Sequence, residues 1–193
     1  MKRARFLIPI ALSLLLSALA VSGCFGENSA KTKVDRAIML VESSQPLLED
    51  LLSLDERINT LGTRFTNVDD TIAEGKSLAE MALMDVDELE SRYTEARDLF
   101  LEVVDMDGAG DYAAYSFLAL VAVNKELEAF AVNRRLLTSV WDMLDVLPLA
   151  ESQEQLSFYI EEIDGLVGEV SDLMQQGAEA AIEADSYHKE HGL

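Results

Sequence analysis

Asp105-x-Asp107-Gly108-x-Gly110-Asp111 is one arrangement in this chain whose residue types and spacing suit chemistry. Carboxylates at alternate positions are how a calcium loop brings several oxygens onto one hard cation. The fit stops where the ligand set should be completed: Ala109 stands at the fifth loop position and Ser116 at the twelfth, where a third carboxylate and a bidentate glutamate are needed. Asp105, Asp107 and Asp111 are therefore weak metal candidates, and a glycine-containing turn with Asp111 as a helix N-cap is the plainer expectation.

His188 and His191 are the only histidines, with Asp185 three residues before His188. Asp-x-x-His is at most a fragment of a carboxylate-bridged di-iron bundle, which needs two Glu-x-x-His pairs and further glutamates on facing helices. A solvated tail is expected instead. Met39 and Met106 carry a haem-type donor, but methionines at helical spacing are expected as core filler. Arg134 falls at an apolar stripe position, where a guanidinium is costly unless paired. Its level in a bundle coincides with Asp55, Asp85 and Asp164, which makes it a candidate for a core ion pair that fixes register. Snorkelling of its head to the bundle edge is the main alternative, and an anion or ligand site around Arg134 and Asn133 a lesser one. The chain has no Gly-x-Ser-x-Gly and no phosphate-cradling glycine loop. No catalytic residue is assigned, no cofactor is expected, and the protein is not expected to be an enzyme.

The N-terminus carries an address. Lys2, Arg3 and Arg5 precede an apolar run from Phe6 to Val21, followed by Val21-Ser22-Gly23-Cys24. A charged n-region, a short apolar h-region and a small-residue cleavage site make a secretory signal. The run is interrupted by Pro9 and is shorter than the roughly 20 residues that cross a bilayer. Val21-Ser22-Gly23-Cys24 resembles the lipobox of prokaryotic lipoproteins. The resemblance covers the signal and Cys24 only, and it implies that the thiol is acylated and that cleavage leaves Cys24 as residue one. Cys24 is the one cysteine, so no intrachain disulfide and no thiolate metal cluster is available.

Loss of residues 1–23 leaves 12 basic residues against 36 acidic ones, a formal charge of −24. Such a surface repels phosphate backbones and anionic headgroups, so nucleic acid is excluded as a partner. A solvated acidic surface is the ordinary reading of the excess.

What must position these residues is helix throughout. Residues 24–30 read as a lipid tether, and six extended residues reach at most about 20 Å. From 31 to 193 the apolar residues recur at helical spacing, with no alternating run that reads as a strand. Leu47, Leu51, Leu54, Ile58, Leu61, Phe65 and Val68 fall at alternating steps of four and three, and Ile72 through Val103 continue the alternation. Pro46 should kink the first helix or restart it. Thr66 to Thr71 clusters poor helix formers inside the unbroken phase, and Thr71-Ile72-Ala73-Glu74 is a candidate capping box; a break there is favoured over one long helix. A third stripe runs from Ala113 to Leu144, stopped by Pro148. Ser152-Gln153-Glu154-Gln155 opens a fourth, Leu156, Ile160, Ile163, Val167, Val170, Met174, Gly177, Ala181 and Ala184, which fades at His188. The run Tyr112 to Val123 is too short to span a membrane and reads as core.

The expected fold is all-α: an antiparallel, up-down-up-down four-helix bundle of long, coiled-coil-like helices after a signal-peptide helix. Small residues Gly177, Ala180, Ala181 and Ala184 should face Tyr112, Tyr115, Phe117 and Leu118, and Trp141 should face Gly75 and Gly62 at the other end. The expected role is that of an exported, surface- or envelope-anchored lipoprotein with a structural or protein-interaction function. It would be held to the membrane by lipid on Cys24, with another envelope protein as partner. A small-ligand or metal-binding helical-bundle lipoprotein is the alternative.

Overall fold

The computed structural model describes residues 25–61, 67–149 and 153–193. The signal segment, the lipobox with Cys24, Gly62 to Thr66 and Ser152 of the expected capping box lie outside the described residues. The chain forms α1 (Phe25–Glu42), α2 (Gln45–Leu61), α3 (Val68–Val104), α4 (Asp111–Val146), a 3-10 turn at Leu147–Leu149 and α5 (Gln153–His191). This is an all-α helical bundle in which α1 and α2 together make the first arm. Lys33 pairs with Glu102, and Arg92 Nη1 donates to the Ser43 carbonyl at 2.8 Å, so α1 runs antiparallel to α3, and Asp50 of α2, close enough to raise the Asp85 pKa, continues that direction. Lys76 with Asp145, and Phe100 with Tyr115, reverse α4 on α3; the Tyr187 hydroxyl on Asp111 reverses α5 on α4.

Each boundary has a local cause. Pro46 lacks an N–H and fixes φ, and both suit the first turn of α2 better than the middle of a helix. The chain restarts just before it, with Ser43 Oγ and Ser44 Oγ donating to the Leu40 carbonyl at 3.0 and 2.8 Å. The break expected near 66–71 is present at Asn67, whose backbone is extended with φ −148° and ψ 125°, and α3 starts at Val68. Its cap is Asn67, whose side chain accepts from the Asp69 N–H at 3.1 Å; Thr71, expected to cap, is already inside α3 and donates to the Asn67 carbonyl. At the next turn Gly108 and Gly110 have φ of +78° and +57°, a region open to glycine at little cost. The N-cap position is Gly110 with no side-chain cap, not Asp111, whose carboxylate instead sits in the first turn, where negative charge complements the helix dipole. Pro148 closes α4 in the 3-10 turn. Residues 25–30, expected as a tether, form the start of α1, and Ala30 is buried.

The α3 stripe from Ile72 to Val103 is buried at every expected position. Tyr93 packs edge-on to Phe130 of α4 at 5.0 Å between ring centroids. The α5 stripe is different: among Leu156, Ile160, Ile163, Val167, Val170 and Met174 none is buried, and Ile160 is 51% exposed. The physical reason is that α5 lies close to α4 alone, its backbone approaching the other helices only sparsely. Three further expectations are corrected. Met39 is exposed rather than core, while Met106 packs against the core. Val68, at the end of the second stripe, is exposed, and so are Phe117 and Val121 within the apolar run of α4. Among the described helices none is long and apolar enough to cross a membrane.

Candidate functional site

Helix α4 is covered on two sides, by α3 and by α5. Besides its main stripe it therefore has a second row in the same alternation of four and three: Tyr115, Ala119, Ala122, Glu126, Ala129 and Asn133, all buried. Small residues in that row let the backbones approach. A Cβ placed on Gly177 of α5 would stand 3.1 Å from Glu126 Cγ and 3.6 Å from the Ala122 carbonyl oxygen. Glu126 is thus held at a close approach across the α4–α5 seam, 3% exposed.

That carboxyl has no ion pair among the described residues. The neighbouring cation, Lys125, turns outward to Glu128 at 2.7 Å. Burial pushes the Glu126 pKa up to about 7, opposed by the hydrogen-bonding influence of Tyr93 on α3. The Tyr93 phenol is itself raised, first by burial and then by Glu126. The two groups are close enough to shift one another, yet the Tyr93 hydroxyl makes no well-formed hydrogen bond; Ser116 Oγ is likewise buried and unpaired. Glu126 borders a cavity of about 20 Å³, room for about one water, whose walls come from all four arms: Ile38 of α1, Phe100 of α3, Tyr115 and Ala122 of α4, and Ala181 and Ala184 of α5.

The residues singled out from sequence fall elsewhere. Asp105, Asp107 and Asp111 are exposed on the α3–α4 turn, and Asp111 accepts from Tyr187 Oη at 3.3 Å. Among the described residues no three of His, Cys, Asp and Glu come together to hold a metal ion. His188, expected in a solvated tail, is 9% exposed and packs edge-on to Tyr115 at 5.2 Å, and burial lowers its pKa. His191 is exposed and stacks on Tyr187. Arg134 is not the buried register pair that its stripe position implied. Its side chain is 38% exposed and reaches the bundle edge, pairing with Asp87 at 2.5 Å and Glu90 at 2.6 Å of α3 rather than with Asp55, Asp85 or Asp164. Asp55 of α2 is instead half-buried, with no ion pair among the described residues, and desolvation raises its pKa to about 7. At the far end Lys76 lies over the Trp141 ring, 5.5 Å from its centroid. Gly75 beside it is buried, and Gly62 lies outside the described residues. The small residues of α5 meet α4 further along than expected: Gly177 is level with Ala122 and Glu126, only Ala184 reaches the level of Tyr115, and Phe117 points to solvent.

No protein-family model, curated protein or solved structure matches this chain.

Proposed function

We propose that the protein is an exported lipoprotein, held at a membrane by acyl chains on Cys24, that acts as a structural or protein-interaction module. The observation that carries this reading is the apolar row of α5 at Leu156, Ile160, Val167 and Met174, none of them buried and Ile160 51% exposed, on a helix whose backbone has one close neighbour. A helix face of this kind is what groove-type contacts between proteins use. It lies in the half of the bundle away from the start of α1. A lipid on Cys24 would therefore leave the row facing outward from the membrane, toward another envelope protein. The acid excess keeps the module off anionic surfaces and nucleic acid.

The alternative, a small-ligand or metal-binding bundle, draws on Glu126 and its cavity, but that space admits about one water. Fractionation and intact-mass measurement test the anchored reading. Membrane-extracted protein should begin at Cys24 and carry added acyl mass, and Cys24→Ala should release the chain from the membrane fraction. Wild-type mature chain found unmodified in the soluble fraction would overturn it.

A further inference from the structure

We propose that Glu126 is a proton-operated latch on α5: neutral, it lets α5 close on α4 at Gly177, and ionised, it draws water into the adjoining cavity and loosens that seam. The geometry supplies each part. The carboxyl is buried at a close approach of the two helices, with Gly177 against it and an apolar space beside it that already has room for about one water. A carboxylate in such surroundings needs a partner or water, because an unpaired buried charge costs several kcal/mol.

No cationic partner is in place on any neighbouring element among the described residues. From α3 the facing group is the Tyr93 phenol. On α4 it is Tyr115, whose own pKa is raised by burial and by Asp185 and Glu42. The walls contributed by α1 and α5 are Ile38, Val41, Ala181 and Ala184, and His188 of α5 stands behind Tyr115. Lys125, the adjacent cation, is committed to Glu128 on the outer face. Water is therefore what can solvate the carboxylate, and the helix free to yield is α5, since its backbone is close to α4 alone. With the carboxyl's pKa near 7, the latch works around neutral pH.

The test uses the full membrane-extracted chain in detergent, with spin labels at the exposed positions Asn124 and Gln176 on the two sides of the seam. At about pH 5 the distance distribution should be narrow; by about pH 8.5 it should broaden toward longer distances in the wild type and stay narrow in Glu126→Gln. An unchanged wild-type distribution over that range, or equal broadening in Glu126→Gln, overturns the proposal. Should Glu126→Gln fail to fold, infrared spectroscopy of wild-type protein with labelled glutamate decides. A protonated glutamate carbonyl band present at about pH 6 and gone by about pH 8.5 is expected, and no such band at pH 6 overturns the latch.

Discussion

Glu126 and Gly177 meet across the α4–α5 seam at a distance that leaves no slack, a Cβ on the glycine standing 3.1 Å from the Glu126 Cγ. Two opposing effects follow for substitutions there. Gly177→Ala gains about 1 kcal/mol of helix propensity but must push back the flexible glutamate chain, so its stability should stay within about 1 kcal/mol of wild type. Gly177→Leu has no such room and should cost about 1–3 kcal/mol by overpacking. Urea unfolding midpoints of the two variants check both.

Stability should fall as pH rises through the range below neutral. The Glu126 pKa is about 7 in the fold against an ordinary value of 4.5. The folded state therefore holds the proton more tightly, and the stability this contributes is full below about pH 4.5 and lost as pH rises to 7, about 3 kcal/mol in all at 1.36 kcal/mol per unit. Asp55 has the same sign, and His188, whose folded pKa is lowered, has the opposite one, losing stability as pH falls below the ordinary imidazole value of 6.5. Urea midpoints at about pH 5 and pH 8 should therefore differ less in Glu126→Gln than in wild type, with the Asp55 and His188 contributions common to both.

Removing a buried hydroxyl that has no partner should not destabilise. Ser116→Ala should be neutral or stabilising by up to about 1 kcal/mol, because an unsatisfied polar group is costly to bury. Tyr93→Phe should behave similarly at low pH and should move the Glu126 titration upward, since the phenol lowers that carboxyl's pKa. Thermal unfolding and the glutamate infrared band check the pair.

Arg134→Ala should cost on the order of 1 kcal/mol or less, the scale of a half-exposed ion pair screened by solvent. A loss of several kcal/mol, as expected for a buried charge pair, would contradict the edge position of its guanidinium. Unfolding at low and high salt checks this, since the edge pair should weaken with salt.

The lengths, phases and breaks of the helices were legible because one stripe per helix at steps of four and three marks one buried face, and Pro46, Pro148 and the glycines at 108 and 110 mark where the pattern must stop. The core of α3 follows that stripe at every position from Ile72 to Val103. What the stripes concealed is the asymmetry between α4 and α5. A helix with two covered faces has two rows, so Glu126, one residue off the main row, is buried by a second row that a single stripe does not mark. A helix with one close neighbour has fewer covered positions than its apolar residues suggest, so Ile160 read as core and is exposed. The row of Ala119, Ala122 and Ala129 was the available signal, since small residues in register with a glutamate mark a close seam. Arg134 misled for the converse reason: its long stem lies along the stripe while its head reaches the edge.

On the proposed function, a partner at the membrane docks on the face of α5 that carries the exposed Ile160. A photo-crosslinking amino acid at Ile160, in cells expressing the full lipid-anchored chain, tests it most directly, with the exposed Asn124 of α4 and Met84 of α3 as control positions. One discrete adduct from Ile160, absent at both controls and lost when Cys24→Ala frees the chain from the membrane, is the predicted result. No adduct at Ile160, or the same adducts from all three positions, would contradict it.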